Sequence, residues 1–386
     1  MADEAKKITL KNWTSRFSIV GHPKLNDNTF KINEHSNRSS WIYSTMNLGI
    51  DCGEKYGTCY ANMMGGYSPE RETMIYAFNK EGNGNVRVSW DDRFNDSVLE
   101  QVNNNAFIRV GLEKDVAGKT VTQQFLSPYD AIEYISNHLT EDMVVRVNGN
   151  LRYSIYNNNV TVNKEITSIY LSNVEPKDFA ATFTQSVLIN KDSCSLTDID
   201  KETGIMPVDV IVLSYLKEFN GHEIKGQWPY HMTMEYQFNL AKKDMIKKIY
   251  DKLFKVKKGY TQITFNGEFV SSGGVVTPSI DDIPDDIREL IGIVYTEEEA
   301  LEQCATSTGR EKHMLLKSPA IFNVRDQKNS DVQHSVLQMF PEQYTEEELD
   351  MSWAYGNQVD EKPPFGDYES EEDGSIGDDV LGWLDA

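Results

Sequence analysis

The chain has 386 residues, 39% of them apolar, and a formal net charge of −22. That length and apolar share suit two or three folded domains and exclude a chain disordered throughout. The charge is uneven: Pro341 to Ala386 holds 15 acidic residues and one lysine, whereas Met1 to Phe340 carries 45 acidic and 37 basic side chains. The body is only mildly acidic, so a nucleic-acid site would need a local basic stripe rather than a basic total.

No apolar run approaches a membrane span, and the charged start of the chain, Met1 to Lys7, lacks the apolar core of a signal peptide. The four cysteines, Cys52, Cys59, Cys194 and Cys304, match no zinc spacing and form no CxxC pair. The expectation is a soluble cytoplasmic protein with reduced thiols and no bound metal or cofactor.

In chain order, Phe17–Val20, Trp41–Met46, Thr73–Phe78 and Phe107–Leu112 read as strands, with turn formers such as Asn26-Asp27-Asn28, Gly65-Gly66 and Gly82-Asn83-Gly84 between them. A helix is predicted from Ser127. That serine can cap it, Pro128 suits its first turn, and Ile132, Ile135 and Leu139 share one face. A strand follows from Met143, with Val145, Val147, Leu151, Tyr153 and Ile155 on one side and Gly149 in the same register. A strand glycine marks a bulge or a barrel corner. Asn157 to Asn159 turns the chain, and Glu165–Leu171 closes the unit.

The pattern then recurs. Phe179–Phe183, Val208–Leu213 and Tyr230–Tyr236 read as strands, and a helix runs from Ala241 to Phe254 with Ile246, Ile249, Tyr250 and Leu253 at helical spacing, ending at Gly259. The strand after each helix carries an apolar-Asn-Gly-x-apolar core: Val147-Asn148-Gly149-Asn150-Leu151 in one copy, Phe265-Asn266-Gly267-Glu268-Phe269 in the other. The expected organisation is a first barrel over 11–172 with an insertion near Glu70–Gln123, a linker at 173–178 and a second barrel over 179–277. A helical appendage at 278–340 and a disordered acidic tail at 341–386 follow.

Three strands, a helix and two more strands is the order of an OB-fold barrel, and both halves resemble it. The expected fold class is mainly β with short helices: two tandem OB-fold-like barrels plus the tail. With its acidic end, the chain resembles the single-stranded-DNA-binding proteins of bacteriophages and bacteria. The resemblance implies non-catalytic, largely sequence-independent binding of single-stranded DNA in phage replication or recombination. It also implies that the tail tip recruits replication or recombination proteins, through Asp378, Asp379, Val380, Leu381, Trp383 and Leu384. The tip departs from the bacterial pattern by ending in Asp385-Ala386.

Binding of single strands combines cations along the backbone with rings that stack on bases. In the first unit the candidates are Trp41, Tyr43, Tyr56, Tyr60 and Tyr156, with Arg146 and Arg152. In the second they are Trp228, Tyr230 and Tyr236, with Lys217 and Lys225, and His222 beside them. A strand aromatic is more often core than platform. By parity Tyr153 belongs inside, and Tyr156 shares the outer side with the two arginines. No spacing supports a catalytic triad, a metal-binding histidine pair or a phosphate loop. The alternative is a protein-binding or structural phage module, including a DNA mimic that inhibits a host enzyme.

Overall fold

The computed structural model describes residues 7–354, apart from 83, 157–158, 277–282, 304–305 and 326–332. By contacts the chain divides into two units: Met1–Phe269 with Met314–Gly366, and Val270–His313 with Asp367–Ala386.

The first half contains β1 (Ser15–Lys24), β2 (Phe30–His35), β3 (Ile42–Asp51), β4 (Thr58–Tyr67), β5 (Met74–Phe78) and β6 (Asn85–Ser89). Next come α1 (Asp96–Leu99), β7 (Ile108–Lys114), β8 (Thr120–Phe125), α2 (Pro128–His138), β9 (Val145–Tyr156) and β10 (Asn159–Leu171). β1 pairs antiparallel with β3 and β9, β3 with β4, β9 with β10, and β4 meets β10 in parallel at Asn62 and Glu165. The ring β1-β3-β4-β10-β9 is therefore closed, with α2 entering between its third and fourth strands, which is the connectivity of an OB-fold barrel. As the sequence predicts, Ser127 caps α2 by accepting from the Tyr129 amide, and Ile132 and Ile135 are buried. Between β4 and α2 the chain builds a separate β5–β6 hairpin over a small core of Ala77, Val88, Val102, Phe107 and Leu126.

The second half contains β11 (Ala180–Ile189), β12 (Ile205–Phe219), β13 (His222–Gln237), α3 (Lys243–Leu253), β14 (Tyr260–Val276), α4 (Asp285–Arg288) and α5 (Glu297–Gln303). It continues with β15 (Thr306–Pro319), β16 (Ile321–Arg325), β17 (Gln333–Leu337), β18 (Met339–Tyr344) and α6 (Glu346–Leu349). β11 pairs antiparallel with β12 and β14, β12 with β13, and β13 runs parallel to β15 at Glu235–Leu315. β15 lies next to β14, so β11-β12-β13-β15-β14 repeats the ring.

Two sequence expectations are corrected. The closing strand of the second ring is β15, inside the segment read as a helical appendage, where β16 to β18 also form. Residues 277–305 intervene between β14 and β15, and that gap hides the strand's relation to its barrel. The segment read as the start of a disordered tail is packed as far as Ala354. β18 pairs with β14, and Tyr344, Leu349 and Met351 are buried. The Tyr344 hydroxyl accepts from the Lys11 amide at 2.8 Å and donates to the Thr9 carbonyl at 3.1 Å, which ties this segment to the start of the fold.

The two rings share a ladder, β1 against β11, with Phe17 opposite Phe183. Phe17 is also opposite Gly149 of β9, and Phe183 opposite Gly267 of β14. The repeated Asn-Gly is thus one feature seen twice. In each barrel a phenylalanine of the first strand lies against a glycine of the fourth, in space that a Cβ would fill.

Candidate nucleic-acid interface

In the first barrel the inner positions of β3 and β4 are Met46, Leu48, Ile50, Cys59, Ala61 and Met63, all buried. The alternate positions face outward and pair as Tyr43 with Gly66, Thr45 with Met64, Asn47 with Asn62, and Gly49 with Tyr60. β2 extends this sheet, setting Lys31 beside Thr45, and β1 sets Lys24 beside Gly49. Tyr60 is 46% exposed, and its Cε1 sits 3.1 Å from where a Cβ on Gly49 would be, so the ring lies over bare backbone. Lys24 reaches Asp51 at 3.2 Å and Thr58 at 3.0 Å. Burial raises the Asp51 pKa, but the Gly53 amide and Lys24 outweigh it and hold that carboxyl below its usual value. Trp41 is half-buried at the start of this face, after the exposed Arg38. Tyr43 and Tyr60 therefore share one side of the barrel, toward opposite ends of the β3–β4 ladder, with Trp41 just before β3.

Tyr56 is a correction. It is buried in the turn between β3 and β4, and its hydroxyl donates to Glu268 of β14 at 3.1 Å. Lys55 donates to the Tyr56 hydroxyl and to Glu268, both at 2.9 Å, and Lys317 stands 3.5 Å from the same carboxylate. This cluster joins the two barrels and leaves Tyr56 no face for a base.

Arg146, Arg152 and Tyr156 lie on the outer side of β9, all exposed, as their parity predicts. Arg146 donates to Ser18 at 3.3 Å, and Arg152 pairs with Glu165 at 2.9 Å. The same side continues across β1 and β11 as Arg16, Ser18, Thr182 and Thr184, a polar surface set between the two barrels.

The second barrel does not repeat the first. Trp228, Tyr230 and Tyr236 alternate with period two along β13, and their side points inward, so all three are core. Trp228 is 1% exposed and packs on Phe219 with centroids 4.6 Å apart. Tyr236 packs edge-on against Phe238, Phe254 and Phe265. A parity count inside β13 cannot say which side is inner, and the structure decides against these rings as stacking platforms. On the outward side Ile211, Leu213 and Pro229 are buried, while Tyr215 of β12 is exposed. Burial holds the imidazole of His231 below its usual pKa, with Asp209 opposing. Lys217 and Lys225 are exposed near the β12–β13 turn; Lys225 pairs with Glu223, and His222 meets Trp353 edge-on at 5.8 Å.

Asp378, Asp379, Val380, Leu381, Trp383 and Leu384 lie outside the described residues. Among the described residues no group of His, Cys, Asp and Glu is placed to hold a metal, and no helix is long and apolar enough to cross a membrane. Among the described residues Cys52, Cys59 and Cys194 form no disulfide; burial, with Asp198 and Asp209, pushes the Cys194 thiol up to about 12. Tyr76 and Phe78, two exposed rings on β5, are not among the candidates that the sequence singles out. Their signal is the alternation of Ile75 and Ala77 with the two aromatics.

No curated protein matches the chain. Among the solved structures that align to it are two of the single-stranded DNA binding protein from Thermus aquaticus. The wild-type protein is 9% identical, with 68% of this chain and 87% of that chain covered, at a TM-score of 0.28. A deletion mutant is 10% identical, with 67% and 88% covered, also at 0.28. Superposition this loose carries no argument, and the barrel assignment rests on the strand pairing alone. The YorF family model matches residues 76–284, more than half of the sequence. The chain therefore belongs to the YorF family.

Proposed function

We propose that this protein binds single-stranded DNA, without strong sequence preference, on the outer face of β3 and β4 in the first barrel. The observation that carries the reading is Tyr60, exposed over Gly49 on the second and third strands of a closed OB-type ring. OB-folds bind oligonucleotides at those strands, and every base offers a face to a ring. Tyr43 and Trp41 extend the platform, while Lys24 and Lys31 meet phosphates. Arg146, Arg152 and Tyr156 on β9 are a further contact, and Lys217 and Lys225 a peripheral one. The second barrel serves as a scaffold, because Trp228, Tyr230 and Tyr236 are inside. In this reading the protein acts in replication or recombination of a phage genome, and its C-terminal tip, Asp378 to Leu384, recruits the partner proteins.

The test is fluorescence anisotropy of labelled oligo-dT with the full chain at two salt concentrations. Binding that weakens with salt, and weakens again by about 1–3 kcal/mol in Tyr60→Ala, supports the reading. Wild-type affinity in Tyr60→Ala would reject the assigned face.

A further inference from the structure

The β5–β6 hairpin carries an arrangement that fold stability does not require. Its inner side, with Ile75, Ala77, Val86 and Val88, packs on its own small core. Its outer side pairs Met74 with Ser89, Tyr76 with Arg87 and Phe78 with Asn85. Tyr76 is 63% exposed and Phe78 67% exposed, so two rings on one strand face solvent side by side. The Arg87 guanidinium lies 5.6 Å from the Tyr76 ring centre. These six outward positions hold one cation and no carboxylate, in a chain of formal net charge −22.

We propose that this hairpin is a second contact for single-stranded nucleic acid, with two unstacked bases lying on Tyr76 and Phe78 and Arg87 meeting the backbone between them. The proposal rests on the single-strand reading above and adds a site to it. Residues two apart on a strand stand about 6.8 Å from each other. That is about twice the 3.4 Å rise between bases of a duplex strand, so the pair suits an extended, splayed strand. A guanidinium over a ring gives both a stacking plane and a phosphate donor. Asn79, Asn85, Asn103 and Asn105 line a shallow cleft against Phe78 and supply amides that can bond base edges without demanding one sequence.

The experiment uses the full chain and oligo-dT carrying 5-iododeoxyuridine, irradiated and digested with trypsin. Cleavage after Arg71 and Lys80 releases Glu72–Lys80, which holds both rings. The expected result is cross-linked Glu72–Lys80, with affinity falling between about five- and 150-fold for each ring removed in Tyr76→Ala and Phe78→Ala. Both rings are exposed, so these variants retain the fold, checked by an unchanged urea midpoint. Cross-links confined to other peptides, or wild-type affinity in the double variant, would overturn the hairpin site and assign its rings to a protein partner. If Tyr60→Ala weakens binding under the same conditions, the first-barrel reading survives that loss. Absence of binding by the wild-type chain would overturn both.

Discussion

Alanine at Gly149 or at Gly267 tests the account of the repeated Asn-Gly. A Cβ on Gly149 would stand 1.9 Å from the Glu165 carbonyl oxygen and 2.7 Å from Cε1 of Phe17. On Gly267 it would stand 2.2 Å from Cζ and 2.6 Å from Cε2 of Phe183, and 2.7 Å from the Leu315 carbonyl oxygen. All are well inside van der Waals contact, so something must move. At 149 the nearest obstacle is backbone, where β10 bulges between Ile166 and Ser168; at 267 it is the tip of a ring. Overpacking costs about 1–3 kcal/mol, and more where backbone must shift. Gly149→Ala should therefore cost about 3 kcal/mol and Gly267→Ala about 2 kcal/mol. Gly226→Ala, with its nearest neighbour at 3.4 Å, should stay within about 0.5 kcal/mol of wild type. Urea unfolding followed by tryptophan fluorescence reads these values, provided the denaturant slope is unchanged. Phe183→Leu should recover part of the Gly267→Ala loss in a double-mutant cycle, whereas Phe17→Leu should recover little of the Gly149→Ala loss. A Gly149→Ala protein as stable as Gly226→Ala would refute the reasoning.

Trp228→Ala should lower stability by about 3–5 kcal/mol, because it empties a core site, while the folded fraction keeps its oligo-dT affinity; urea titration and anisotropy check the two halves. At Glu268, burial raises the carboxyl pKa, but Lys55, Tyr56 and Lys317 outweigh it and hold it below 4.5. Its stabilising share is therefore complete above the unfolded-state value and disappears as pH falls through the lower folded one. The urea-midpoint difference between wild type and Glu268→Gln should shrink as pH falls below about 4.5 and persist at pH 7, and a pH-independent difference would contradict this. Truncation after Phe340 should lower the urea midpoint markedly, since each buried side chain lost among Tyr344, Leu349 and Met351 contributes about 1.5–3 kcal/mol; an unchanged midpoint would contradict this.

Local pattern carried much of the fold. The capped start of α2, the period-two strands and the doubled order of strands and helix were legible because each depends on neighbours a few residues away. So was the outward placement of Arg146, Arg152 and Tyr156, since Val145, Val147 and Leu151 define the inner side of β9. The chain order alone did not reveal that β15 closes the second ring, because its partner β13 is distant in sequence and 277–305 interrupts the pattern. Nor did it show that Trp228, Tyr230 and Tyr236 are core. Alternation says that three rings share a side, but the inner side is chosen only when β12, β14 and α3 close around it. The same holds for Tyr56, whose partner Glu268 arrives from the other barrel. Sequence by itself determined the elements and their order, which follow from local periodicity and capping. Tertiary structure alone decided which rings are left for a ligand, because burial depends on long-range strand pairing that no single segment encodes.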